Sequence, residues 1–83
     1  MILPDKYIST ETALLGAGAV ILRHLQVSRS VTGLWEKTKD EPAVANFERF
    51  ILAIDLLYAL GGVHMHEGLL TRGPSANGQE AMR

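Results

Sequence analysis

Three helices followed by a two-stranded β-hairpin, in a mainly α-helical chain, is the architecture this 83-residue sequence predicts. Three observations carry that expectation. Ala13 to Leu22 is an unbroken run of apolar and glycine residues. Phe47, Phe50, Ile51, Ile54, Leu57 and Tyr58 recur at i, i+3, i+4, i+7, i+10 and i+11, the spacing of one helical face. After Gly61-Gly62, Val63 and Met65 alternate with His64 and His66, as in a strand buried on one side.

The first predicted helix starts at Thr10, with the Ser9 hydroxyl as its cap and Glu11 in the turn where negative charge suits the helix dipole. Leu14, Gly18, Ile21, Leu22 and Leu25 mark its apolar side, and it should end near Leu25. Residues 1–9 contain Pro4 and no helical period, so they read as an extended arm. Ser30 caps a second, short helix in which Val31, Leu34 and Trp35 share a side, ending near Lys39. Asp40-Glu41-Pro42 reads as a turn, with Pro42 opening the third helix. Gly61-Gly62 stops that helix, since glycine adopts the left-handed C-cap without a Cβ clash. Glu67-Gly68 is a two-residue turn between strands, and the second strand runs from Leu69 to Arg72. Residues 73–83 are mostly small and polar and predict a disordered tail. The order is that of a winged helix-turn-helix, three helices plus a wing, over residues 10–72.

Length and composition bound what such a chain can do. A domain this small buries a modest core and usually leans on disulfides, a metal or a partner. There is no cysteine, which removes disulfides and thiolate metal sites and fits a reducing cytoplasm. The opening Met1-Ile2-Leu3-Pro4-Asp5-Lys6 lacks the features of a secretory signal, and no apolar run reaches the roughly 18 residues of a membrane span. A cytoplasmic location without membrane contact is therefore expected.

No constellation suits catalysis. The serines lie at caps, in a loop or in the tail, and none stands in a nucleophile motif. Asp55 lies in the apolar third helix, but acid-base work needs a second positioned group. Gly16-Ala17-Gly18 lacks the pattern of a phosphate loop. His64 and His66 share a strand face, yet a metal site needs three or four ligands. The expectation is a protein that is not an enzyme and holds no metal or cofactor.

The apolar surplus is more telling. A helix apolar on all sides is buried on all sides, and so short a chain cannot surround its own first helix. Gly16 and Gly18 each cost that helix up to about 1 kcal/mol relative to Ala, a cost offset only where another backbone approaches. The third helix adds a second stripe, Leu52, Leu56 and Leu60, beside its core stripe. Leu14, Leu15, Gly16, Gly18, Leu52, Leu56 and Leu60 are therefore candidate protein-interface residues. Two copies could also bury the same patch as a homodimer.

Winged helices often bind DNA, so a small DNA-binding transcriptional regulator is the alternative. Its contacts would be Arg49, His64, His66 and Arg72. Charge opposes it. The net charge is −1, and between Ser30 and Leu60 three cations face Glu36, Asp40, Glu41, Glu48 and Asp55.

The segments Ile2-Leu3-Pro4-Asp5-Lys6-Tyr7-Ile8, Ala13-Leu14-Leu15-Gly16, Val31-Thr32-Gly33-Leu34-Trp35, Phe50 through Gly61 and Glu67-Gly68-Leu69-Leu70 resemble the small middle components of bacterial three-component ABC-ATPase systems. The resemblance covers about Ile2 to Arg72. It implies a non-catalytic subunit beside a large coiled-coil ABC-type ATPase, of the kind related to chromosome-maintenance ATPases, and an effector, often in anti-phage or anti-plasmid defence. Nucleic acid would be met only indirectly, through the complex. Pro4, Tyr7 and Ile8 of the arm then join the apolar faces as docking candidates.

Overall fold

Local capping chemistry sets most of the element boundaries. A computed structural model describes residues 5–73, with side chains from residue 10 onward. Its order is α1 (Asp5–Arg23), α2 (Val31–Thr38), α3 (Phe47–Leu60), β1 (Val63–His66) and β2 (Leu69–Arg72). This is the predicted winged-helix-like order, three helices and an antiparallel hairpin.

The caps explain where α2 and α3 begin. Gly33 N–H donates to Ser30 Oγ at 3.0 Å, and Arg49 N–H donates to Asn46 Oδ1 at 2.8 Å. At the far end of α3, Gly61 is left-handed (φ 82°), and its N–H and that of Gly62 close onto the Leu57 and Tyr58 carbonyls. In the hairpin, Glu67 and Gly68 both have positive φ (54° and 81°), as a type I′ turn requires.

Several expectations need correction. Helix α1 begins at Asp5, so Tyr7, Ile8 and Ser9 lie in a helix and Ser9 is not its cap. Proline marks a helix start as readily as an extended segment, because a helix leaves its first N–H groups unpaired anyway. Residues 1–4 of the expected arm, and the tail from 74 onward, lie outside the described residues. Pro42 does not open α3. Residues 42–44 form a turn, Ala45 takes a left-handed conformation (φ 67°), and α3 starts five residues later behind Asn46. Gly73, assigned to the tail, is buried and donates to the Gly62 carbonyl at 2.8 Å. A Cβ there would collide with the Gly61 carbonyl oxygen, so only glycine fits.

The core gathers residues from every element: Ala17, Val20 and Ile21 of α1, Leu25, Leu34, Val44, Phe50, Ala53 and Leu57, Val63 and Leu70. The buried stripe of α3 is thus Phe50, Ala53 and Leu57, with Ile51 and Ile54 half-buried beside it. Phe47 and Tyr58, expected in that stripe, are more than half exposed. Phe47 instead leans edge-on against Trp35 (centroids 5.1 Å, planes at 83°). Met65 is also exposed, although Val63 two residues earlier is buried. The cross-strand partner of Met65, Leu70, is buried and bridged by Arg29, so the body covers β2 at this register and leaves β1 outside.

One feature of the sheet had no clear sequence signal. Arg29 forms an antiparallel bridge to Leu70, with N–H to O distances of 3.1 and 2.7 Å in the two directions. The segment between α1 and α2 therefore ties the hairpin to the body. Arg29 Nε also donates to the His24 carbonyl at 2.7 Å, and Glu41 lies 3.6 Å from His24 Nε2. Buried Thr38 is satisfied within its own helix, its hydroxyl donating to the Leu34 carbonyl at 2.9 Å.

Candidate interaction surface

The elements that build the core also decide which apolar side chains are left outside it. Helix α3 packs along α1, and Gly18 makes close approach possible. A Cβ on Gly18 would stand 3.3 Å from Leu57 Cδ2. The missing side chain at Gly18 therefore serves an internal contact, not the external one expected. Gly16 is different, because nothing lies within 4 Å of where its Cβ would be.

The remaining predicted interface residues divide by exposure. Leu15 is 55 % exposed, Leu52 46 % and Leu60 58 %. Leu14 and Leu56 are half-buried. Leu52, Leu56 and Leu60 succeed one another at i, i+4 and i+8, so they form one stripe along α3. Pro4 lies outside the described residues, and Tyr7 and Ile8 belong to the stretch of α1 whose side chains are not described.

Where the N-terminal half of α1 passes the start of α3, the two helices leave an open groove of about 210 Å³. Thr10, Ala13 and Leu14 form one wall, and Asn46, Glu48, Arg49 and Leu52 form the other. Its lining mixes aliphatic Ala13, Leu14 and Leu52 with polar Thr10, Asn46, Glu48 and Arg49. Arg49 is half-buried at its edge, and its Nη1 reaches only the Ala43 carbonyl, at 3.4 Å. The ion pairs among the described residues join Arg23 and His24 to Glu41, Lys39 to Glu36 and His66 to Glu67, so no described carboxylate pairs with Arg49.

The nucleic-acid candidates are scattered. Arg49 sits in this groove, while His64 and His66 are exposed on one face of the wing, across the strand pair from Thr71 and Leu69. Arg72 pairs with Val63 at the base of the hairpin and is half-buried. The outward face of α3, which would enter a DNA groove, presents Glu48, Leu52, Asp55 and Ala59. Among the described residues no three His, Cys, Asp or Glu side chains come together as metal ligands would, and no helix is long and apolar enough to cross a membrane.

These features define a small winged-helix-like module with aliphatic side chains exposed on its first and third helices. Residues 3–72 match the family described as ABC-three component (ABC-3C) system Middle Component 6, and the chain belongs to that family. It is thus a middle component of a three-component ABC system. No curated protein and no solved structure matches the chain.

Proposed function

We propose that this chain is a non-catalytic protein-interaction subunit that joins the large coiled-coil ABC-type ATPase of its system to an effector, in the cytoplasm, as part of a defence against phage or plasmid DNA. The observation that carries this reading is the second apolar side of α3. Phe50, Ala53 and Leu57 are spent on the core, yet Leu52 and Leu60 remain about half exposed, as does Leu15 of α1. Exposed aliphatic side chains gathered in one stripe mark a surface that another protein covers. Membership of a three-component family supplies the other components such a surface would meet.

The outward charge of α3 supports a protein partner over DNA. Glu48 and Asp55 stand where a recognition helix would present cations, and phosphate contacts dominate DNA affinity. The ATPase would bind nucleotide, and any contact with nucleic acid would come through the complex.

Co-expression of the chain with the other two components, followed by mass determination of the purified assembly, tests this reading. The expected result is a stable complex containing all three proteins. A chain that stays folded and separate from both components overturns it.

A further inference from the structure

The groove between α1 and α3 combines aliphatic and charged side chains. Leu52 lies one turn after Glu48 and Arg49, so these two side chains flank it on opposite sides of the helix surface. Leu14 faces it from α1. The groove thus sets an aliphatic contact point, Leu14 opposite Leu52, beside a carboxylate and a guanidinium on its α3 wall. Glu48 is exposed and Arg49 half-buried without a described carboxylate partner.

We infer that this slot receives an amphipathic helix of another component of the system, one that places an apolar side chain between Leu14 and Leu52 and a carboxylate on Arg49. This rests on the interaction-subunit reading above and specifies where and by what chemistry the docking occurs. Helix-in-groove recognition uses an apolar anchor for affinity and flanking charges for register. Arg49 suits a carboxylate because its planar guanidinium offers paired donors, and only one, Nη1, is engaged, at 3.4 Å. A basic residue of the incoming helix, on the opposite side of its anchor, meets Glu48. A phosphate backbone fits poorly, because Glu48 repels it and Leu14 and Leu52 offer it no hydrogen bond.

The test measures affinity between this chain and each purified partner component for the wild type, Arg49→Gln and Leu52→Glu. The thermal melt of each variant serves as a fold control. Leu52 is about half exposed and Arg49 holds only one long hydrogen bond, so both variants should melt close to the wild type. Each should bind about tenfold more weakly or worse, as expected when one partner of a desolvated charge pair or an apolar anchor is lost. Wild-type binding with both variants within twofold overturns the slot while leaving the interaction-subunit reading intact. No binding of the wild type to either component overturns both. Loss of duplex-DNA binding by Arg49→Gln, with partner affinity unchanged, assigns Arg49 to phosphate and also overturns the inference.

Discussion

Both sides of α3 carry large apolar residues, and these meet opposite surroundings. Phe50 and Ala53 are fully buried and Leu57 nearly so, against α1 and the base of the hairpin. Leu52, Tyr58 and Leu60, one to three residues away in sequence, face outward. Hydrophobicity alone does not separate them. What separates them is that the chain has only enough other elements to cover one side of a helix.

The largest test of that contrast lies in the core. Phe50→Ala removes a fully buried ring that also packs on Trp35 at 5.2 Å. It should cost about 3–5 kcal/mol, comparable to what the single core of a domain this small supplies. The cooperative thermal transition should disappear. A melt shifted by only a few degrees would mean that the buried side of α3 is not what holds the domain together.

A smaller effect is expected where the helices approach most closely. Gly18→Leu forces a side chain against Leu57 and should lower stability by about 1–3 kcal/mol, read as a lower urea midpoint. An unchanged midpoint would show that α1 and α3 can slide apart at no cost.

The outward side should behave in the opposite way. Leu60→Gln changes a side chain that is mostly exposed, so stability should stay within about 0.5 kcal/mol of the wild type. Co-purification with the other components should nevertheless fall. A large loss of stability would place Leu60 in the core and erase the contrast between the two sides.

The smallest effect belongs to the charged surface. Lys39 Nζ lies 2.9 Å from Glu36 Oε1, and this hydrogen bond and charge raise the lysine pKa above its usual 10.5. Because the folded-state value is raised, any stabilisation is fully present below pH 10.5 and is lost as pH climbs through the raised value. The pair is solvent-exposed, so Lys39→Ala should leave the melting temperature at neutral pH almost unmoved. A clear drop would give this surface pair a weight comparable to the apolar contacts.

Much of the architecture was legible because its signals are local. Ser30 stands three residues before Gly33, and Gly61-Gly62 interrupts the longest apolar stripe. Glu67-Gly68 separates two short β-prone runs. Each acts through atoms a few residues apart, and each appears at its expected place. The start of α3 was legible too, in principle. Asn46 is a strong capping residue, but Pro42 also suits a helix start and drew the boundary forward. Pro4 likewise pointed to an extended arm where a helix begins at Asp5.

The candidate surface was legible as a surplus but not as a place. The count of apolar residues on α1 and α3 exceeded what so short a chain can bury, and Leu15, Leu52 and Leu60 do remain exposed. That Gly18 serves Leu57 and not a partner could not be read from Gly16-Ala17-Gly18, which looks equivalent at both glycines. Nor could the slot around Leu52, which needs Leu14 from a helix more than thirty residues away in sequence.

By itself the sequence determined the order of elements, their stops and turns, the absence of thiol chemistry and the excess of apolar surface. These follow from composition and from contacts within about one helical turn. Only the tertiary structure decided which side of α3 is core, that Arg29 joins the hairpin to the body, and that Arg49 and Leu52 share a groove with Leu14. Those outcomes depend on how α1 crosses α3, and that crossing is set by side chains far apart in the chain meeting at Gly18 and Leu57.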